Sequence, residues 1–284
     1  MKLSILYDRL RWEEKTLKEE AGAAGHTAEL VDARSLHFDI SRKMRRGRLH
    51  DGVLQRCISH YRALFSTRIL ESAGVVVVND YAVAEVCGNK LATTIALAKA
   101  GVPTPKTVVA LSSDSVEEAA RKVRFPLVMK PFTGSWGRMV SVARDRDTLS
   151  SLVELREEMH NPLEHMYYLQ EFVKRPPRDI RAVVTGDEIA ACVYRKAAKG
   201  DWRTNVARGG TSEAFKPSAG LVEMVLKAAE AVGGGILGVD AMESDGGYLV
   251  HEVNNTVEFR GAQAASSGNI AAKIVEHTAR RLRR

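Results

Sequence analysis

Three cysteines in 284 residues, at positions 57, 87 and 192, are too few and too scattered for a disulfide framework. No Cys-x-x-Cys pair offers thiolate metal spacing, so they read as reduced core residues. Aromatic residues make up only 6% of the chain, and none interleaves with its basic runs "SRKMRRGR" (41–48) and "ARRLRR" (279–284). A base-stacking surface for single-stranded nucleic acid therefore lacks its rings. No stretch approaches the roughly 18–20 apolar residues of a membrane span. The opening "MKLSILYDRL" has too short an apolar run for a signal peptide and reads as a first core strand, so a soluble, cytoplasmic protein is expected. There is no Walker A motif, no internal repeat and no low-complexity segment.

What is present is a core. Hydrophobic residues form 45% of the chain, enough for two or three packed subdomains. The formal charge is +7. That excess suits an acidic partner, protein or nucleotide, as well as a solvated face or phosphate backbone.

Residues 2–7 predict a strand, 11–25 a helix, and "TAELVDA" a second strand. "DGVLQRCISHYRALFSTRILESAG" predicts a short strand and a helix stopped by Gly74. "VVVVND" has the continuous apolar run of a strand covered on both faces. This is a βαβ unit ending near residue 87. A helix over 89–100 closes at Gly101, and two prolines force an extended exit. "SVEEAARKVRFPLVMKPF" predicts a helix and a strand carrying Lys130. Beyond residue 167 the pattern is strand-rich, interrupted by a helix at 221–233. The expected class is α/β (α+β).

The closing hairpin "GILGVDAMESDGGYLVHEVNNTVEFRG" (235–261) carries the sharpest chemical signal. A turn centred on Gly246 places Asp240 opposite Glu252, where paired residues have Cβ atoms about 4.5–5.5 Å apart. Asn254 projects from the same face. Two facing carboxylates repel unless a cation joins them, and an oxygen-only set of few protein ligands suits Mg²⁺. Upstream, Gly233, Gly235 and Gly238 satisfy GxGxxG, but they follow a helix and enter a strand. That is the reverse of a dinucleotide site, and they read as a helix stop.

Groups for phosphate lie elsewhere. Lys130 enters "PFTGSWGR", where Gly134 and Gly137 let backbone amides approach an anion and Ser135 adds a hydroxyl. "LQEFV" is an apolar edge whose backbone could meet an adenine, with Glu171 near a ribose or amino group. Asp179 and Arg181 share a strand face, and Arg195, Asn205 and Arg208 supply a polar, cationic lining.

Taken in order, a helix lysine, a strand lysine, a small loop, "QEFV" and a closing "D…ExN" set resemble the ATP-grasp superfamily of carboxylate–amine ligases. Within its RimK-like branch, the chain is most similar to the LysX-type ligases, which attach α-aminoadipate or glutamate to a small acidic amino-group carrier protein (LysW-like). The blocks "EVCGNKLATTIALAKAGVPTPKT", "VMKPFTGSWGR", "QEFVKRPPRDIR", "NVARGG" and "HEVNNTVEFRG" carry the likeness. It implies a pre-ATP-grasp domain (1–87), a central subdomain (88–169) and a C-terminal subdomain (170–284). ATP would lie between the last two, with Mg²⁺ on Asp240, Glu252 and Asn254.

Further roles follow from the same resemblance. Lys90, Lys130, Gly134, Ser135, Trp136, Gly137 and Asp179 would serve the nucleotide, and Gln170, Glu171, Phe172 and Val173 its adenine. Arg181, Arg195 and Asn205 would act in catalysis, the last two also reaching the nucleotide's phosphates. Arg208, Gly209, Asn255, Thr256, Glu258, Phe259 and Arg260 would face the substrates. The Glu258-Phe259 pair looks like the aminoadipate type, whereas Arg260-Gly261 departs from that type's Lys-Asn and leaves glutamate open. Two alternatives stand beside it. One is a RimK-like enzyme glutamylating a ribosomal protein or a cofactor, and the other a basic nucleic-acid-binding protein. A dimer or tetramer is also left open.

Overall fold

The computed structural model describes residues 1–41, 48–50, 52–134, 137–198, 200, 204 and 209–283. The predicted site residues Ser135, Trp136, Asn205 and Arg208, and the basic run at 42–47, lie outside the described residues.

The first sheet holds β1 (Lys2–Tyr7), β2 (Thr27–Asp32), β3 (Gly52–Gln55) and β4 (Val76–Val78), parallel in the order β2-β1-β3-β4. Helices α1 (Trp12–Ala23) and α2 (His60–Ser72) make its crossovers, and Gly74, at φ +79°, stops α2 where the sequence implied. Helices α3 (Tyr81–Cys87) and α4 (Lys90–Lys99) lead out of this unit. The Asn89 side chain accepts from the Leu91 and Ala92 amides, so α4 begins at Lys90.

The second sheet is antiparallel: β5 (Thr107–Ala110), β6 (Leu127–Lys130), β7 (Ser141–Ala143) and β8 (Tyr167–Glu171), in the order β5-β8-β6-β7. Helix α5 (Val116–Val123) lays Val116, Ala119, Ala120 and Val123 against it, the i, i+3, i+4, i+7 stripe of an amphipathic helix. Helix α6 (Arg146–Glu157), capped by Asp145, follows β7.

The third sheet has the order β11-β10-β9-β12-β13 and every neighbour antiparallel. Its strands are β9 (Arg178–Thr185), β10 (Glu188–Lys196), β11 (Thr211–Ala214), β12 (Ile236–Ser244) and β13 (Gly247–Asn254). Helix α7 (Ala219–Ala231) covers one face, where Ile180, Ala182, Val184, Leu237, Val239 and Ala241 are buried. On the opposite face the apolar end, with Val183, Val193 and Ile236, packs on the first sheet and on α8 (Arg260–Ala265) and α9 (Ile270–Leu282). The polar end of that face is left to build a site. Although α9 closes the chain, it crosses back to α1, and a Cβ on Gly52 would fall 2.2 Å from Leu282 Cδ1.

One buried amide pins the first sheet to the third. Asn79 Nδ2 donates to the carbonyls of Ile236 at 2.7 Å and Asn255 at 2.9 Å, and Asn79 Oδ1 accepts from the Ile236 amide at 2.7 Å. Gly235, at φ +104°, makes room, since a Cβ there would stand 2.2 Å from Asn79 Oδ1. The GxGxxG pattern thus serves a helix stop and a close approach. Substituting Asn79→Ala strands three backbone groups, the two of Ile236 being buried. Urea unfolding should lose about 2–4 kcal/mol, and a loss below about 1 kcal/mol would show the pin to be dispensable.

Candidate active site

The hairpin delivers the expected pair by an unexpected route. Ser244 pairs with Gly247 across a two-residue Asp245-Gly246 loop, not a turn centred on Gly246. That register alone would set Asp240 opposite His251. A bulge between Asp240 and Ala241 shifts it by one, so Val250 opposes Ala241 and Glu252 opposes Asp240. Both His251 and Glu252 line the cavity as a result.

The same sheet face collects the other charges. Asp240 is in register with Arg181 on β9, and Arg195 on β10 is in register with Asp179. Arg181 holds the Asp240 carboxylate through two donors, Nη2 reaching Oδ2 at 2.8 Å. Arg195 grips Asp179 at 2.8 and 2.6 Å, and its Nη2 also stands 3.1 Å from Asp240 Oδ2. The Thr204 hydroxyl donates to Asp179 as well. Burial alone would raise the Asp179 pKa, but the Arg195 charge and its bonds outweigh it and hold the carboxyl well below the usual range.

Two lysines enter from other elements. Lys90, at the first turn of α4, donates to the Gly134 carbonyl at 2.8 Å and lies 3.3 Å from Glu252 Oε1. Lys130, at the end of β6, donates to Gln170 Oε1 at 2.6 Å. Burial pushes the Lys130 ammonium down to about 8, with Glu252 pulling the other way and Lys90 adding to the fall. For Glu252, burial would raise the pKa, yet Lys90, Lys130 and Arg181 help bring it down to about 2. It stays a carboxylate at neutral pH.

Lys90, Lys130, Asp179, Arg195, Thr204, His251 and Glu252 line a cavity of about 230 Å³, whereas Asp240, Arg181 and Asn254 are not among its lining residues. Val128, Val140, Phe172, Val173 and Met242 give it apolar lining, and Lys90, Lys130, Arg195 and Glu252 give it charge. Gly134 and Gly137 border it. Among the described residues no three His, Cys, Asp or Glu side chains cluster as a closed metal cage. The donor set is two facing carboxylates and the amide of Asn254, whose Nδ2 lies 3.4 Å from Asp240 Oδ2. That set fits a hard cation that takes most of its oxygens from water and phosphate.

Several expected residues take different parts. Gln170 turns its side chain to Lys130, Thr107 and Tyr168, and Glu171 accepts from the Lys106 amide at 2.8 Å. Both still border the cavity. Residues 255–260 and Gly209 are not among those lining it. The Asn255 carbonyl is held by Asn79, Glu258 pairs with Arg11 at 2.9 Å, and Phe259 is fully buried edge-to-face with Trp12 at 5.6 Å. Phe259 thus acts through packing. Burial pushes the thiols of Cys57 and Cys87 up, and that of Cys192 up to about 12, so none is a ready thiolate.

Met242, His251 and Thr204 went unread in the sequence. Met242 stands two residues from Asp240 and so shares its face, a signal that was available. His251 had none, because simple alternation turns it away until the bulge intervenes. Thr204 sits in a stretch without periodicity.

Comparison with known proteins agrees over nearly the whole length. Residues 3–86 match the LysX preATP-grasp domain family and residues 87–278 the RimK-like ATP-grasp domain family. The chain is 37% identical to the α-aminoadipate–LysW ligase LysX of Sulfurisphaera tokodaii, covering 97% of each chain. It is 34% identical to the glutamate–LysW ligase ArgX of the same organism, covering 98% of each. The structure of a RimK domain ATP-grasp protein from Sphaerobacter thermophilus superposes with a TM-score of 0.83 at 26% identity, over 98% of this chain and 99% of that one.

The depressed Lys130 sets a pH dependence. An anionic phosphate beside Nζ favours the protonated amine, so ATP binding should draw in a proton near and above pH 8. Affinity should be level below pH 8 and fall above it, approaching ~10-fold per unit. Titration calorimetry in two buffers of different ionisation enthalpy reads that proton directly. The uptake should vanish in Lys130→Met, and equal uptake in the two proteins would exclude Lys130 as its source.

Proposed function

The chain belongs to the RimK-like ATP-grasp ligases, and from that premise we propose that it joins an acidic α-amino acid to a small LysW-like carrier protein. It is an ATP-dependent carboxylate–amine ligase. The acyl group is the side-chain carboxylate of the carrier's C-terminal glutamate, and the amine is that of α-aminoadipate, with glutamate as a second substrate. This is a step of lysine biosynthesis, shared with arginine biosynthesis if glutamate is used. The formal charge of +7 suits attraction of an acidic carrier.

One observation carries the reading. Glu252, which opposes Asp240 across the hairpin, lines one cavity together with Lys90, Lys130 and Arg195 and with the apolar Val128, Phe172, Val173 and Met242. Adenine would lie against Val128, Phe172, Val173 and Met242, and the phosphates between Lys90, Lys130 and Arg195, all of which line the cavity. Mg²⁺ on Asp240, Glu252 and Asn254 would draw charge from the phosphate oxygens.

A carboxylate is a poor electrophile. Its oxygen attacks the γ-phosphorus, ADP departs, and the carboxyl becomes an acyl phosphate. The amine then attacks the acyl carbon, loses a proton, and inorganic phosphate leaves as the amide forms. Lys90, Lys130 and Arg195 are fixed by their partners beforehand, so their charge meets the transferring phosphoryl group without reorganisation. Asp179 and Thr204 keep the Arg195 fork in place. No covalent protein nucleophile is required, in keeping with three suppressed thiols.

A substrate panel tests the assignment. ADP release should need carrier and amino acid together, faster with aminoadipate than with glutamate. Release without any carrier would move the enzyme to glutamylation of another acceptor. Glu252→Gln should lower kcat by about 10²–10³-fold with an unchanged melting temperature. Wild-type turnover in that variant would remove Glu252 from the chemistry.

A further inference from the structure

Beside the segment that leaves β13, the first domain sets a charged cluster that the chemistry above does not use. Glu14 on α1 is wholly buried. It accepts from the Arg11 side chain at 2.7 Å, from the Arg11 amide at 2.8 Å and from Arg56 Nε at 3.2 Å. Arg11 reaches on to Glu258 at 2.9 Å. The Arg56 guanidinium stands 6.0 Å from the centre of the Phe259 ring.

Arg56 is 2% exposed, and its Nη2 is buried with no hydrogen-bond partner. Burial and the neighbouring Arg11 charge lower the Arg56 pKa despite the opposing pull of Glu14 and Glu13. A buried donor left unsatisfied costs about 1–3 kcal/mol or more for a charged group, and a carboxylate accepting from Nη2 would satisfy it. A guanidinium presents its remaining donors as a fork suited to that group. The segment 255–260 follows Glu252 and Asn254 directly, and Glu252 lines the cavity, so the cluster packs against the stretch of chain that leaves it.

We propose that Arg56, held in place by Glu14, binds a carboxylate of the acidic amino-acid substrate. The inference rests on the ligase reading. It makes the first domain part of the amino-acid subsite, with Glu14 as a positioning residue that sets the Arg56 fork.

The test uses the full chain with its carrier and compares aminoadipate, glutamate and the neutral norleucine. Arg56→Met should raise KM for the acidic amino acids by about 10–100-fold, more than kcat falls. ATP affinity, read by calorimetry, should stay at the wild-type value, and the preference over norleucine should collapse. Arg56→Lys keeps a charge opposite Glu14 but loses the fork, so its KM should fall between the two. The proposal is overturned if KM is unchanged, or if it rises alike for acidic and neutral amino acids, as a merely structural role would produce. Should Arg56→Met not fold, the same ratios in Arg56→Lys decide. A wild-type enzyme whose ADP release ignores amino acids would instead sink the ligase reading itself.

Discussion

Like charges held at close range organise this molecule. Asp240 and Glu252 oppose each other on paired strands, and Asp179 lies on the same face one strand further on. Such a grouping survives burial only if cations are built in around it. The chain supplies Arg181, Arg195, Lys90 and Lys130, from two strands of the third sheet, one helix and one strand of the second. The same electrostatic requirement that stabilises the folded site therefore gathers Lys90, Lys130 and Arg195 on the cavity wall.

That arrangement is only as exact as the contacts between the sheets. Lys90 reaches Glu252 because Asn89 starts α4 there, and Lys130 reaches Gln170 because β6 and β8 are adjacent. Asn79, Gly235 and α9 tie the first sheet to the third, which sets Arg11, Glu14 and Arg56 against residues 258–260. The first domain thus packs against the segment that follows β13, while the cavity is lined from the second and third sheets and from Lys90 at the start of α4.

Much of this was legible from residue order. The valine run at 75–78, Gly74 and Gly101 as helix stops, and the strand bearing Lys130 all follow from local preferences that packing reinforces. The Asp240–Glu252 pair was legible too, but its turn was not. A centre on Gly246 and a two-residue turn with a bulge give the same pairing and differ only in where the extra residue sits. Helix α6 and the crossing of α9 to α1 left no trace in the expectations, because neither depends on a motif.

By itself the sequence determined the α/β class, the facing carboxylates and the strand and helix that carry the lysines, since each rests on short-range periodicity and residue chemistry. Only the tertiary structure decided what those side chains touch. His251 enters the cavity through a bulge, Gln170 serves Lys130, Phe259 is core, and Arg56 is left with a spare donor. Periodicity assigns a residue to a face, but its partners come from elements distant in sequence, and a one-residue shift in register redirects the whole set.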